Sequence, residues 1–281
     1  LTASAAPVLV GSAIAYALTQ PFSLPLVILA LLAIMLLHSG ANIANDYFDH
    51  TSKNDWLNKN PTPFSGGRRF IQNGILSPRQ TLTAALVALA AGFAVGLVII
   101  ALTKSIFILT LGLVGLVGGY FYTAAPVRLG YRCIGELVIA LLFGLLPVYG
   151  SYYLQTQSID AVPLMPACIV SILIFLVILI NEFPDADADA AVNKKTLVVR
   201  FGIPAAAWIY RATLIISYVI AAGMLIFPDS GGMFFAGLFY LFTLPIAVAA
   251  FRFANKEDLA VPGQCRANQV TVLLHAVGSL S

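Results

Sequence analysis

The sequence predicts an all-α, polytopic membrane protein with nine transmembrane helices around a cavity. Three observations support this fold class. Of the 281 residues, 60% are hydrophobic and only 10% are charged, whereas a soluble domain carries about 25% charged residues. Apolar runs long enough to span a bilayer recur along the chain. Two clusters of Asn and Asp each follow such a run, which indicates two pseudo-repeated halves that share one site.

Nine apolar runs follow one another along the chain, and we expect each to form one transmembrane helix. Their approximate bounds are 3–19, 24–44, 81–102, 105–122, 134–154, 162–180, 204–227, 231–251 and 268–280. Together they predict a single transmembrane domain over residues 1–281.

The basic residues lie almost entirely on one side of this topology. The connections after the second, fourth, sixth and eighth runs, with the adjoining helix ends, carry 14 of the 15 Lys and Arg residues. Only Lys104 falls on the other side. Because basic loops remain in the cytoplasm, the basic face is predicted to be cytoplasmic. Long loops on this face, at about 45–80, 123–133 and 181–203, are expected to form a cap over the cavity.

The two polar clusters have the spacing of a single helix face. In chain order they comprise Asn45, Asp46, Asp49, Asn181, Asp185 and Asp189. The pairs Asn45–Asp49 and Asn181–Asp185 lie 136 residues apart, and each stacks on one face if its helix continues. Carboxylate and amide oxygens are the ligands that Mg²⁺ prefers. The sequence therefore predicts a magnesium-bridged phosphate site, with these six residues as candidate metal ligands.

Basic residues that can hold a phosphate follow the second cluster at Lys194, Lys195 and Arg200. Arg132 lies in an earlier connection, and its guanidinium suits either a phosphate or a carboxylate.

Glu136 begins an apolar run, where ionisable residues are costly and usually functional. A salt bridge from Glu136 to Arg128 or Arg132 is the structural alternative to a catalytic role.

Asn45-Asp46-Tyr47-Phe48-Asp49 resembles the first aspartate-rich motif of the UbiA superfamily of intramembrane prenyltransferases, and Asn181-x3-Asp185-x3-Asp189 resembles the second. Three further stretches are similar to the MenA-like branch of that superfamily. They are Asn181 to Asp185 with Lys195 to Arg200, Pro63 to Gly67, and Tyr122 to Pro126 followed by Tyr131 to Glu136. One departure is Lys53, which stands where many members carry a further aspartate; Asp55 comes two residues later.

The resemblance implies an enzyme that transfers a polyprenyl group from polyprenyl diphosphate to an aromatic acceptor, most closely 1,4-dihydroxy-2-naphthoate in menaquinone biosynthesis. It implies two Mg²⁺ ions and a bacterial or archaeal cytoplasmic membrane, with the site facing the cytoplasm and no nucleic-acid partner. The catalytic residues expected are Asp46, Asp49, Asp185, Asp189 and Glu136. The substrate-binding residues expected are Asn45, Asn181, Lys194, Lys195, Arg200, Arg132 and Tyr122.

Other functions remain open at this point. The acceptor can instead be 4-hydroxybenzoate, homogentisate or a glycerol-phosphate lipid. A transporter also places charges inside a helical bundle, but nearer the middle of the membrane than these helix-end clusters. A CDP-alcohol phosphotransferase is a further enzyme alternative, and its Asp-Gly-x-x-Ala-Arg signature is absent from the sequence.

Overall fold

Helices make up almost all of the regular structure. The computed structural model describes residues 2–18, 21–59, 61–64, 67–226, 232–261 and 263–281. The helices are α1 (Thr2–Leu18), α2 (Leu24–Thr51), α3 (Asn54–Leu57), α4 (Pro78–Thr103), α5 (Ile106–Phe121), α6 (Gly135–Ala140), α7 (Leu146–Thr156), α8 (Leu164–Ala191), α9 (Leu197–Met224), α10 (Met233–Leu241), α11 (Leu244–Phe253), α12 (Lys256–Leu259) and α13 (Arg266–Gly278). A π-helical turn, Leu141–Leu145, joins α6 to α7.

Five helical segments are long and apolar enough to cross a membrane: α2, α4, the joined α6–α7 segment, α8 and α9. The pair α10 and α11, which is bent by 50°, makes a sixth if it forms one span. The shorter helices α1, α5 and α13 have 17, 16 and 13 residues. Each of the nine predicted apolar runs falls on helix within the described residues, which confirms the all-α class. The count of nine transmembrane helices, the cytoplasmic cap and the two repeated halves stay predictions.

Local sequence signals explain where the helices near the site begin and end. Ser77 caps α4 by accepting from the backbone N–H of Gln80, and the Gln80 side chain accepts from the backbone N–H of Ser77. Thr196 caps α9 by accepting from the N–H of Val199. Helix α8 continues through Pro184 to Ala191, so the whole second Asn/Asp cluster is helical, as its spacing predicts.

Glycines allow several helices near the site to pack closely against one another. A Cβ on Gly40 of α2 would lie 2.7 Å from Cγ of Leu89 on α4, and a Cβ on Gly92 of α4 would lie 2.8 Å from Cγ of Leu37 on α2. Each leucine therefore fills the space that a glycine leaves on the opposite helix. A Cβ on Gly11 of α1 would lie 2.1 Å from the carbonyl oxygen of Val148 on α7, so α1 and α7 approach through their backbones.

We expect Gly11→Ala to destabilise the protein by about 1–3 kcal/mol, because the added methyl meets backbone that cannot rotate away. The matched control is Gly96→Ala, since a Cβ on Gly96 in the middle of α4 meets nothing within 4 Å. This control is expected to be neutral or stabilising by up to about 1 kcal/mol. Thermal unfolding midpoints in the same detergent measure both effects. Equal midpoints for the two variants would contradict the close contact between α1 and α7.

Candidate functional site

A polar cavity of about 300 Å³ lies between α2, α8, the α2–α4 connection and the segment that links α5 to α6. One part of its wall is polar, with lining residues Asn42, Asn45, Asp49, Asn54, Asp55, Asn58, Asn181, Glu182, Asp185, Asp189 and Lys194. Another part is largely apolar, with lining residues His38, Ile139, Phe143, Ile174, Val177 and Ile178. The cavity therefore joins an acidic chamber to an apolar one.

The two Asn/Asp clusters reach this cavity from different helices. Asn45 and Asp49 lie one turn apart on α2, and the Asn45 amide Nδ2 donates to Asp49 Oδ2 at 2.8 Å. Asn181, Asp185 and Asp189 line the cavity from α8. The structure thus brings the clusters together across one space, as their equal spacing suggested.

Asp46, on the adjacent face of α2, approaches the α2–α4 connection instead of the cavity wall. A Cβ on Gly67 would lie 3.1 Å from Asp46 Oδ1. Gly67 also has a φ of 67°. Both the short distance to Asp46 and the left-handed backbone therefore favour glycine at this position. Two other residues of the predicted Pro63–Gly67 loop, Ser65 and Gly66, lie outside the described residues.

The short helix α3 contacts the second cluster through two amides. Asn54 Nδ2 donates to Asp189 Oδ1, and Asn58 Nδ2 donates to Asp185 Oδ1, both at 2.7 Å. Asn54 and Asn58 are four residues apart in the sequence, and so are Asp185 and Asp189. Amide donors from the α2–α4 connection therefore contact two successive turns of α8.

Lys194 is the basic side chain that lines the cavity. Its Nζ lies 3.3 Å from Asp189 Oδ1, and its side chain is only 14% exposed. Burial alone would lower the pKa of this ammonium, but the nearby carboxylates of Asp49 and Asp189 raise the pKa well above its usual value. Lys194 therefore carries a fixed positive charge inside the cavity.

The other predicted cations lie outside the cavity lining. Lys195, Arg200 and Arg132 are exposed. An isolated backbone bridge pairs Arg132 with Lys195, and the Arg132 side chain donates from Nε to the Val127 carbonyl at 2.6 Å. Their predicted contacts with substrate stay predictions.

Tyr122 lines the cavity, and its ring lies against two glycines. Cβ atoms added to Gly130 and Gly135 would lie 2.9 Å from Tyr122 Cζ and 3.1 Å from its hydroxyl oxygen. Burial raises the pKa of Tyr122, so this phenol stays protonated. Gly130 and Gly135 thus leave the space that the Tyr122 ring occupies.

Glu136 is buried next to the cavity rather than in its lining. Its Oε1 accepts from the backbone N–H of Leu197 at 2.7 Å, in the first turn of α9. Within the described ranges Glu136 forms no ion pair with Arg128 or Arg132, so the salt-bridge alternative is wrong. Glu182, which is 8% exposed, interacts electrostatically with Glu136 and does line the cavity.

Sequence reasoning missed five residues of the polar wall. They are Asn42, Asn54, Asp55, Asn58 and Glu182. Asp55 is 4% exposed and accepts from Gln72 Nε2 at 2.8 Å. Burial first, and then the charges of Asp49 and Asp46, raise the pKa of Asp55 to about 7. The sequence did contain a signal for Asp55, which lies two residues beyond the position where many family members carry an aspartate. Glu182 gave no such signal, because it lies outside the four-residue spacing of the second cluster.

The oxygen atoms that line the cavity suit the binding of a hard divalent cation. Asp49 Oδ1, Asn54 Oδ1 and Asp189 Oδ2 are buried and lack a hydrogen-bond partner, and oxygen atoms of this kind are typical ligands of Mg²⁺. Over the described residues, no three His, Cys, Asp or Glu side chains are close enough to hold a metal by themselves. Since the carboxylates are divided between α2 and α8, amide oxygens or substrate oxygens have to complete any cation site.

Fold and site together define a helical membrane protein with an acidic cavity between two helices that carry matched Asn/Asp motifs. The family model described as "UbiA prenyltransferase family" matches residues 4–263. The chain belongs to the UbiA prenyltransferase family, and it is an integral membrane protein of the MenA-like kind.

Relatives and solved structures agree with this assignment. The chain is 34% identical over 203 residues to a 1,4-dihydroxy-2-naphthoate octaprenyltransferase of Haemophilus influenzae, covering 70% of this chain and 64% of that protein. It is 33% identical over 193 residues to the protein of the same name from Mycobacterium tuberculosis, covering 69% and 64%. The matched region thus spans less than two thirds of these relatives. A UbiA homolog from Archaeoglobus fulgidus bound to GPP and Mg²⁺ shares the fold, with a TM-score of 0.72, 18% identity and coverage of 99% and 94%.

We expect Lys194→Gln to weaken the binding of inorganic diphosphate by about tenfold or more, because a hydrogen bond to a charged group contributes about 1.5–3 kcal/mol. Lys195→Gln is the matched control and is expected to have a smaller effect, since Lys195 is exposed. Isothermal titration of the purified protein with diphosphate and Mg²⁺ compares the two. A larger loss for Lys195→Gln would place the phosphate outside the cavity.

Proposed function

We propose that residues 1–281 form one domain that transfers a polyprenyl group from polyprenyl diphosphate to 1,4-dihydroxy-2-naphthoate with the help of Mg²⁺. One observation carries this proposal: carboxylates of α2 and α8 and the ammonium of Lys194 line the same cavity as an apolar wall. An acidic chamber with a cation suits a metal-bound diphosphate, and an apolar wall suits a hydrocarbon. The named relatives and the GPP-bound neighbour support the substrate class.

The diphosphate belongs at the polar part of the cavity. We assign Asn45 and Asp49 from α2, and Asn181, Asp185 and Asp189 from α8, as the residues that would hold two Mg²⁺ ions. Asp46 is the sixth ligand that we propose, and its side chain would have to turn from the α2–α4 connection toward the cavity. When bound, these ions neutralise the charge that develops on the leaving diphosphate. Lys194 can donate directly to a phosphate oxygen from the cavity wall. Lys195 and Arg200 can join from the surface once the substrate is bound.

The polyprenyl tail requires apolar space next to the acidic chamber. A second cavity, of about 150 Å³, lies between α2, α4, α5 and α7 and is lined almost entirely by apolar side chains. Water is excluded from such walls, which protects an allylic cation until the acceptor attacks it. The rings of Tyr122 and Phe143 line the acidic cavity and can stabilise the cation through their faces.

The acceptor must bring its ring carbon to the first carbon of the prenyl group as the bond from that carbon to the diphosphate oxygen breaks. Glu136 and Glu182 lie beside Tyr122, and each has a buried carboxyl oxygen, Oε2, without a partner. Glu182 lines the cavity and interacts with Glu136, so we assign Glu136 the task of receiving, by way of Glu182, the proton that the acceptor hydroxyl releases. Arg132, on the exposed side, suits the acceptor carboxylate.

The basic face supports a cytoplasmic orientation of the site in a bacterial or archaeal inner membrane. Both substrates would then approach from the cytoplasmic side of the bilayer.

The deciding experiment measures prenyl transfer by the purified protein in lipid nanodiscs. We expect a prenylated product from 1,4-dihydroxy-2-naphthoate and a polyprenyl diphosphate only when Mg²⁺ is present, and loss of product on chelation that is reversed by Mg²⁺. Parallel reactions use 4-hydroxybenzoate, homogentisate and a glycerol-phosphate lipid. Full turnover after thorough chelation would overturn the metal requirement, and transfer to a different acceptor would overturn the acceptor assignment.

Asp49→Ala and Asp185→Ala are each expected to lower the transfer rate by more than about tenfold, which corresponds to about 1.4 kcal/mol of activation free energy. The carboxylates act on the leaving group, whereas folding rests on apolar helix packing, so both variants should remain folded. Product formation measures the first effect and the thermal unfolding midpoint measures the second. A variant that folds and keeps the wild-type rate would remove that carboxylate from the site.

A further inference from the structure

Helix α3 contributes an unexplained polar side chain to the cavity. Asn54 is 6% exposed and lines the same cavity as the two Asn/Asp clusters. It lies just after Lys53, whose left-handed backbone conformation (φ 67°) marks the turn between α2 and α3. Neither aspartate-rich motif includes Asn54.

The nitrogen of the Asn54 side-chain amide has a hydrogen-bond partner, and its oxygen does not. Its Nδ2 donates to Asp189 Oδ1 at 2.7 Å, whereas its Oδ1 is buried without a hydrogen-bond partner. A buried carbonyl oxygen that lacks a donor is costly, so such atoms usually face a ligand or an ordered water. The donor end of Asn54 therefore has a structural explanation, and the acceptor end does not.

Two further acceptors in the same cavity share this situation. Asp49 Oδ1 on α2 and Asp189 Oδ2 on α8 are buried and without partners. The Lys194 ammonium interacts electrostatically with both carboxylates. Its Nζ lies 3.3 Å from Asp189 Oδ1, however, and not beside the partnerless Oδ2. Three oxygens from α2, α3 and α8 thus line one cavity with no donor to satisfy them. Buried oxygens of this kind are the ligands that a hard divalent cation takes.

We propose that Asn54 Oδ1 is a ligand of the divalent cation, which makes α3 a third contributor to the metal site beside the two motifs. The Nδ2 contact with Asp189 then orients the amide so that its oxygen faces the cation. This inference rests on the proposed function, because the cation is the one that diphosphate chemistry needs. It also supplies the additional oxygen that the described carboxylates do not provide by themselves.

The experiment measures Mn²⁺ binding by the electron paramagnetic resonance signal of free Mn²⁺, with full-length protein in nanodiscs and saturating inorganic diphosphate. Mn²⁺ accepts the same oxygen ligands as Mg²⁺. Asn54→Leu keeps the number and branching of the side-chain heavy atoms and removes both polar atoms, so we expect it to weaken Mn²⁺ binding by about tenfold or more. Asn54→Asp keeps an oxygen ligand and loses the donor, and we expect it to retain wild-type affinity within a few-fold.

The matched control is Asn73→Leu, because Asn73 is an exposed asparagine of the same α2–α4 connection. It is expected to bind Mn²⁺ as the wild type does. Unfolding midpoints without metal show which variants fold. If Asn54→Leu does not fold, Asn54→Ser replaces it, because the shorter serine side chain holds its oxygen farther from the proposed cation. Wild-type affinity in the folded Leu or Ser variant would overturn the proposal. Equal losses in Asn54→Asp and Asn54→Leu would also overturn it, because only the donor to Asp189 would then matter.

The outcome is separable from that of the proposed function. If the wild type transfers no prenyl group but the Mn²⁺ pattern is as expected, the proposed function fails and the Asn54 ligand stands. If the wild type binds no Mn²⁺ in the presence of diphosphate, the Asn54 proposal and the metal requirement both fail.

Discussion

Burial of carboxylates beside a membrane is the constraint on which the rest of the polar cavity depends. Asp49 and Asp189 are 6% and 1% exposed, and an unpaired charge at such a site would cost several kcal/mol. Each is held by a nearby group: the Asn45 amide for Asp49, and the Asn54 amide with the Lys194 ammonium for Asp189. These partners come from α2, α3 and the segment after α8. The carboxylates can therefore stay buried only while three separate parts of the chain keep their relative positions.

Apolar packing provides that fixed arrangement. The reciprocal contacts between Gly40 and Leu89 and between Gly92 and Leu37 set how closely α2 approaches α4. On the other side, α8 buries Leu176, Leu179 and Ile180 completely within the core that it shares with α9 and α13. The helices that carry the carboxylates are thus anchored by side chains that do not line the acidic cavity.

The features that the sequence could predict are those that repeat along a helix. The nine apolar runs and the four-residue spacing of Asn181, Asp185 and Asp189 depend on local periodicity, and the structure has helix at each of them. Lys194 and Lys195 could not be told apart in the sequence, because they lie in the irregular segment after α8, where Asn193 has a φ of 57° and no helical period indicates which side chain faces the cavity. Asn54 was missed because the α2–α4 connection has no periodicity. The contact of Glu136 with Leu197 joins residues 61 positions apart, which no local pattern reports.

The smaller apolar cavity owes part of its volume to glycine. Gly96 on α4 and Gly112 and Gly115 on α5 all line it, and a Cβ added to any of the three would meet nothing within 4 Å. Part of the size of this space is therefore set by the absence of side chains at these three positions. One base change converts a glycine codon into one for alanine or valine. Descendants of this gene can thus narrow the cavity in small inherited steps, each leaving the helical framework and the acidic chamber as they are.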